Sequence, residues 1–182
     1  MGIYLNPENV DFQKSLNSEI YIDKTELIAY TNKKLNTEQG YICVSRPRRF
    51  GKSMAANMLT AYYSRGCDSR RLFQGLKIAT HPDFEKHLNQ YNVIHLNMRD
   101  YLTESENMKE LIQFVEDDLL DELQQEFSDL RMPRRKTLVK VLEQAFVQYK
   151  IPFVFIIDEW DCIFRVHKSD SASQKEYLDF LR

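Results

Sequence analysis

Apolar residues fall along this chain in two kinds of pattern: short unbroken runs, and longer stretches at a period near 3.6. Tyr41-Ile42-Cys43-Val44-Ser45, Asn92 to Met98 (NVIHLNM) and Pro152 to Ile157 (PFVFII) are the short runs, and each predicts a strand. The third shows no polar alternation, as expected of a strand buried on both faces. Pro152 stands at its start, where a missing N–H does no harm. After Lys52, the positions Met54, Ala55, Met58, Leu59, Tyr62 and Tyr63 trace a helix that ends near Gly66. Met108, Leu111, Ile112, Val115, Leu119, Leu123 and Phe127 trace a longer one, broken by Pro133. Leu138, Val141, Leu142, Ala145, Phe146 and Tyr149 trace a third, and Ser173-x-x-Glu176 reads as a capping box before Tyr177, Leu178 and Leu181. Strands alternating with helices predict an α/β fold with a mostly parallel sheet flanked by helices.

Composition narrows this picture. The 182 residues suit one domain, with no internal repeat and no linker-like segment. With 25 Lys+Arg against 27 Asp+Glu, net charge -2, the chain has no global basic field, so nucleic acid is not indicated as a partner. Hydrophobic residues at 43% support a packed core, and five Gly and five Pro argue against a turn-rich all-β chain. Cys43, Cys67 and Cys162 form no paired framework and read as core fillers in a reducing compartment. The N-terminus lacks a basic and apolar leader, and Asn6 stands where a myristoylation motif wants Ser or Thr. No apolar run approaches the roughly 18 residues of a membrane span. A soluble, cytoplasmic protein without membrane contact is the expectation.

The segment from Ser45 to Ser53 (SRPRRFGKS) joins the first strand to the first long helix and ends in Gly-Lys-Ser, the second half of G-x-x-x-x-G-K-[ST]. Gly51 lets the backbone curl close to phosphates without a Cβ in the way. The amides of the loop and of the helix start then point at the anion, where the helix dipole favours negative charge. Lys52 would reach the β- and γ-phosphates, and Ser53 would place its hydroxyl on Mg²⁺. Arg46 occupies the position of the first Gly. Gly-Lys-Ser also occurs by chance at strand–turn–helix junctions, but here a strand precedes it and a long helix follows. Arg46, Arg48 and Arg49 offset phosphate charge, so the stretch from Arg46 through Phe50 to Ser53 is the candidate nucleotide cradle.

The PFVFII run ends in Asp158-Glu159. Ligand crevices of open α/β sheets lie at the carboxyl ends of the strands. Asp158 would therefore hold the Mg²⁺ shared with Ser53, and Glu159 would be the general base toward water. A pair of acids after an apolar strand is otherwise a solvated strand end; the upstream Gly-Lys-Ser favours the catalytic reading. Asp158-Glu159-Trp160-Asp161 also matches D-E-x-D of helicases, for which the chain has neither room nor basic charge.

Arg46 to Ser53 (RPRRFGKS) resembles the phosphate-loop signature of the predicted AAA-ATPase-like family, widespread in bacteria. Tyr21 to Thr25 (YIDKT) is similar to its N-terminal motif, Leu72 to Ile78 to the stretch after its first helix, and Ile156 to Asp161 to its acidic motif, where Tyr is commoner than Trp160. The likeness spans nearly the whole chain, and Arg46 becomes the family's own variant. It implies an additional-strand P-loop ATPase fold binding ATP with Mg²⁺, with residues 1–40 as a lead-in and 41–182 as a partial core. Members often carry a C-terminal PD-(D/E)XK nuclease-like domain.

A sheet of that type places another strand between the loop strand and the Asp-Glu strand, and nothing after Ile157 reads as one. The expectation is an N-terminal portion with an uncovered sheet edge, prone to associate as an oligomer and weak in hydrolysis. Asp23, Lys24 and Thr25 read either as a surface turn with Thr25 as N-cap or as neighbours of the nucleotide. Asn97 reads as a strand-end amide, the four histidines as structural, and Arg134-Arg135-Lys136 as a solvated helix start. ATP binding with hydrolysis is the leading function. A non-catalytic nucleotide switch or scaffold, docking a nuclease domain or partner protein, is the alternative, and a small-molecule kinase comes third.

Overall fold

A computed structural model describes residues 2–45, 47 and 50–182. In chain order the elements are α1 (Val10–Leu16), α2 (Glu26–Asn32), α3 (Lys52–Tyr63), α4 (Arg70–Phe73), a 3-10 turn (Lys77–Thr80), α5 (Phe84–His87) and β1 (Asn92–Asn97). Then follow α6 (Met98–Glu104), α7 (Met108–Glu126), α8 (Leu138–Tyr149), β2 (Phe153–Asp158), α9 (Cys162–Val166) and α10 (Ser171–Phe180). The class is α/β, as the alternating patterns predict.

β1 and β2 pair in parallel, in register from Asn92–Phe153 to Asn97–Asp158. Because side chains alternate along a strand, the pair serves two cores. Ile94 and Leu96, with Phe153 and Ile157, pack against Leu111, Val115, Leu119 and Val141 of α7 and α8 and against Ile163 and Tyr177 beyond them. Val93, Val154 and Ile156 face the other core, built on Phe12, Ile28, Met58, Tyr62, Tyr63 and Phe73. α3 packs across both strands on this second face.

The free edge of β1 is closed by the N-terminal segment. Leu5 forms an antiparallel bridge to Ile94, the His95 amide donates to the Tyr4 carbonyl at 2.9 Å, and the Asn6 amide donates to the Val93 carbonyl at 2.7 Å. The Asn6 side chain completes the ladder: its Oδ1 accepts from the Val93 amide at 2.8 Å and its Nδ2 donates to Asn92 Oδ1 at 3.2 Å. Asn6 does this at φ 51, a left-handed conformation that Asn tolerates better than most residues. Three amides, those of Ile3, Tyr4 and Leu5, donate to the Glu122 carboxylate of α7 and fix the approach.

Several expectations need correction. Residues 41–45 form no strand, and Tyr41 is 95% exposed. A strand exists only by pairing, and no described residue pairs with residues 41–45, although β2 has only β1 beside it among the described strands. For the same reason β2 is not buried on both faces; Phe155 is 51% exposed. α3 starts as expected, but its first turn stays outside the core, so Met54 is exposed while Ala56, Thr60 and Ala61 are buried. The last helix is capped by Asp170, which accepts from the Ser173 amide, rather than by Ser173 itself. Of the cysteines, Cys162 is a core residue and Cys43 is exposed.

Asn6 yields a stability prediction. Asn6→Ala leaves the buried Val93 amide unpaired and places a Cβ in left-handed backbone, which should cost about 2–4 kcal/mol. Asn6→Gly keeps the backbone and loses only the side-chain bonds, so urea unfolding should rank wild type above Gly and Gly above Ala. Equal stability of Asn6→Ala and wild type would contradict the bridging role.

Candidate functional site

Gly51 is the N-cap of α3 with φ 76 and ψ 34, in the left-handed region. A Cβ there would lie 2.9 Å from the Lys24 Nζ, which a flexible side chain can relieve, so it is the left-handed backbone that favours glycine. Gly51 offers no side chain to cap the first turn of α3, and the exposed Ser53 places that electropositive end of a twelve-residue helix at the surface. Lys52 opens this turn and Ser53, exposed, follows it. Phe50 is exposed beside them. Arg46, Arg48 and Arg49 lie outside the described residues.

Lys24 joins the lead-in to this turn: its Nζ donates to the Phe50 carbonyl at 2.9 Å. A local knot holds it there. Asp23 Oδ1 accepts from the Thr25 amide at 2.8 Å and the Thr25 hydroxyl at 2.6 Å, and Oδ2 accepts from the Lys77 amide at 2.8 Å. Thr25 Oγ1 in turn accepts from the Ile78 amide at 3.1 Å, so Thr25 occupies the N-cap position of α2 without capping it. Burial pushes the Asp23 carboxyl up, but the hydrogen bonds from Thr25 and Lys77 outweigh it and hold the carboxyl below its ordinary range. The turn of the first sequence reading is present, without the Thr25 cap, and its lysine touches the candidate cradle.

At the other side, β2 delivers Asp158 at its carboxyl end, in register with Asn97. Glu159 follows at φ 51, its amide donating to Asp158 Oδ1 at 2.9 Å. The Glu159 carboxylate is ion-paired with Arg165 of α9, which also binds Asp161 Oδ2 at 2.9 Å. Arg165 holds the Glu159 carboxyl below its usual range against the opposing effect of burial, with further lowering by Lys52 and Arg99. The Lys52 contribution brings the two halves of the candidate site together: the charge of Lys52 is felt at Glu159. Arg165 also lines a cavity of about 470 Å³, together with Arg99 and His167. Asn97 caps α6, accepting from the Arg99 amide at 3.2 Å, as a strand-end amide should.

Arg165 is the residue that sequence reasoning missed. Its only signal was the i, i+4 spacing from Asp161, which gives no hint that the guanidinium also reaches Glu159. Among the described residues no group of three or more His, Cys, Asp or Glu is placed to hold a metal. None of their helices is long and apolar enough to cross a membrane.

These features define an α/β domain with a glycine-started helix and an acidic strand end within electrostatic reach of each other. The chain belongs to the family of predicted AAA-ATPases, whose model matches residues 10–182. No curated protein and no solved structure matches it. Membership supports nucleotide binding in general.

Replacing Arg165 by Gln removes the first cause of the lowered Glu159 pKa, so this carboxyl should titrate at higher pH, read by carboxyl NMR. The sign for folding follows. With its pKa depressed, Glu159 stabilises the fold above the unfolded carboxylate pKa, and that contribution fades as pH falls through the folded value. Arg165→Gln should show less of this acid sensitivity; identical titration of the two proteins would show that Arg165 does not govern Glu159.

Proposed function

We propose that the chain binds ATP with Mg²⁺ and supports its hydrolysis, on a P-loop core of the additional-strand type spanning residues 41–182, with residues 1–40 as a lead-in. The observation that carries this reading is that α3, started by the left-handed Gly51 of Gly-Lys-Ser, packs on β2, the strand that ends in Asp158 and is followed by Glu159. In this reading the amides of Gly51 to Ser53 and the ammonium of Lys52 hold the phosphates, with Phe50 and Arg46, Arg48 and Arg49 around them. The Ser53 hydroxyl and the Asp158 carboxylate are hard oxygen donors of the kind Mg²⁺ takes, the remaining positions falling to phosphate and water. When bound, that ion would neutralise charge on the phosphate oxygens. Glu159, released from Arg165, accepts a proton from the attacking water. A cytoplasmic setting and a C-terminal nuclease-like domain or protein partner belong to the same proposal.

The pairing of Glu159 with Arg165 favours a second reading, in which the domain is a nucleotide-dependent switch that turns over very slowly. A carboxylate tied to a guanidinium is a poor base, so hydrolysis would wait for a partner that displaces Arg165.

Isothermal titration with a non-hydrolysable ATP analogue separates these. Lys52→Ala should weaken Mg²⁺-dependent binding about 10- to 100-fold. Glu159→Gln should keep binding and lower phosphate release by about 10²-fold or more if Glu159 is the base. Unchanged binding in Lys52→Ala would refute the cradle; tight binding with negligible release in the wild type would favour the switch.

A further inference from the structure

We infer that the cavity between the segment 20–22 and the start of α3 seats the base of the nucleotide, an inference that rests on the phosphate reading of Gly51 to Ser53. The cavity measures about 300 Å³ and is lined by Ile20, Tyr21, Ile22, Phe50, Met54 and Met58, a volume at the lower end of small-molecule pockets. Its position argues for one ligand spanning both places. Phe50 and Gly51 belong to the cavity wall and to the cradle at once, so phosphates lying on the α3 amides leave the flat end of the same molecule at the cavity mouth.

Exposure argues next. Ile20 is 79% exposed, Ile22 67% and Phe50 62%. Single exposed apolar residues are ordinary, but these three converge with Met54 on one cavity beside a charged turn. A ring entering there would bury what is now bare, with no rearrangement of either core.

The chemistry of the lining agrees. Two aromatic rings and two thioethers offer broad polarizable contact to a π face, which is sequence-tolerant because every base has one. Tyr21 is steadied from behind by Phe12, edge to face with centroids 6.3 Å apart. The charged side chain at the cavity, Lys24, is already engaged with the Phe50 carbonyl. Residues 21–24 belong to no helix or strand, so the backbone of Tyr21 and Ile22 is left to meet the base edge. The base would thus be held by contact and backbone, the phosphates by charge.

The test compares two probes on the whole chain, each with Mg²⁺: the non-hydrolysable ATP analogue and inorganic tripolyphosphate. Ile20→Ser with Ile22→Ser changes only exposed side chains, so folding is preserved, which circular dichroism verifies. The double variant should lose about 10-fold in affinity for the analogue, the worth of some 50 Å² of apolar contact, and keep its tripolyphosphate affinity within about twofold. Equal affinity of the wild type for both probes, or equal weakening of both in the double variant, overturns the base seat and leaves the cradle standing. A cradle failure looks different: Lys52→Ala leaves both probes unaffected. An unchanged analogue affinity in the double variant, with Ile20 and Ile22 buried against a protein partner instead, also overturns the inference.

Discussion

A parallel pair of strands cannot stand with a bare face in water, because neither strand has the polar alternation that a solvated face requires. The β1–β2 pair meets most of that constraint by packing one face against α7 and α8 and the other against α3 and the aromatic cluster around Tyr62 and Phe73, and it leaves Phe155 of β2 half exposed. Everything at the candidate site is placed by this sandwich. β1 is fixed on its far edge by Asn6 and by the amides tied to Glu122; β2 is fixed on β1; and Asp158 emerges where β2 ends. α3 lies across the same sheet with its buried half, Met58 to Tyr63, as anchor. Its first turn can then stand clear of the core, uncapped, without loosening the helix.

Legibility divided along physical lines. The strands NVIHLNM and PFVFII and the helices α3, α7 and α8 were readable because each carries its period in its own side chains. The run at residues 41–45 has the same apolar look and forms no strand, since pairing depends on an available neighbour that local pattern does not encode. Short elements such as α4, α5 and the turn at Lys77–Thr80 are too brief for a period to register. The acids and the Gly-Lys-Ser were legible as chemistry and Lys24 as a candidate neighbour of the nucleotide, whereas the contacts that Lys24 and Arg165 make were not. Lys24 reaches Phe50 across 26 positions of chain, and Arg165 looks in sequence like an ordinary helix-surface charge.

These two cations act on opposite halves of the site and by different means. Lys24 acts on backbone, holding the Phe50 carbonyl and thereby limiting how Gly51 can turn. Its own base is rigid, because Asp23 accepts three hydrogen bonds and ties α2 to the segment at Lys77. Arg165 acts on a side chain, from a five-residue helix beside a cavity. The first is a brace and the second a counter-charge.

The strength of that counter-charge bears on how the acid end would respond to a ligand. The Arg165–Glu159 pair is partly solvated, with side chains 30% and 22% exposed, and such pairs hold weakly because water screens them. Arg165 also keeps Asp161 as a second partner one helical turn away, so releasing Glu159 does not strand a bare guanidinium. Glu159 is lowered by Lys52 and Arg99 as well, and a triphosphate drawn to Lys52 would neutralise part of that field. Under the proposed function, Lys52, which would bind the phosphates, also contributes to holding the Glu159 carboxyl low, behind the larger effect of Arg165. With the cradle occupied, Arg165 would therefore remain the principal restraint on Glu159 as a base.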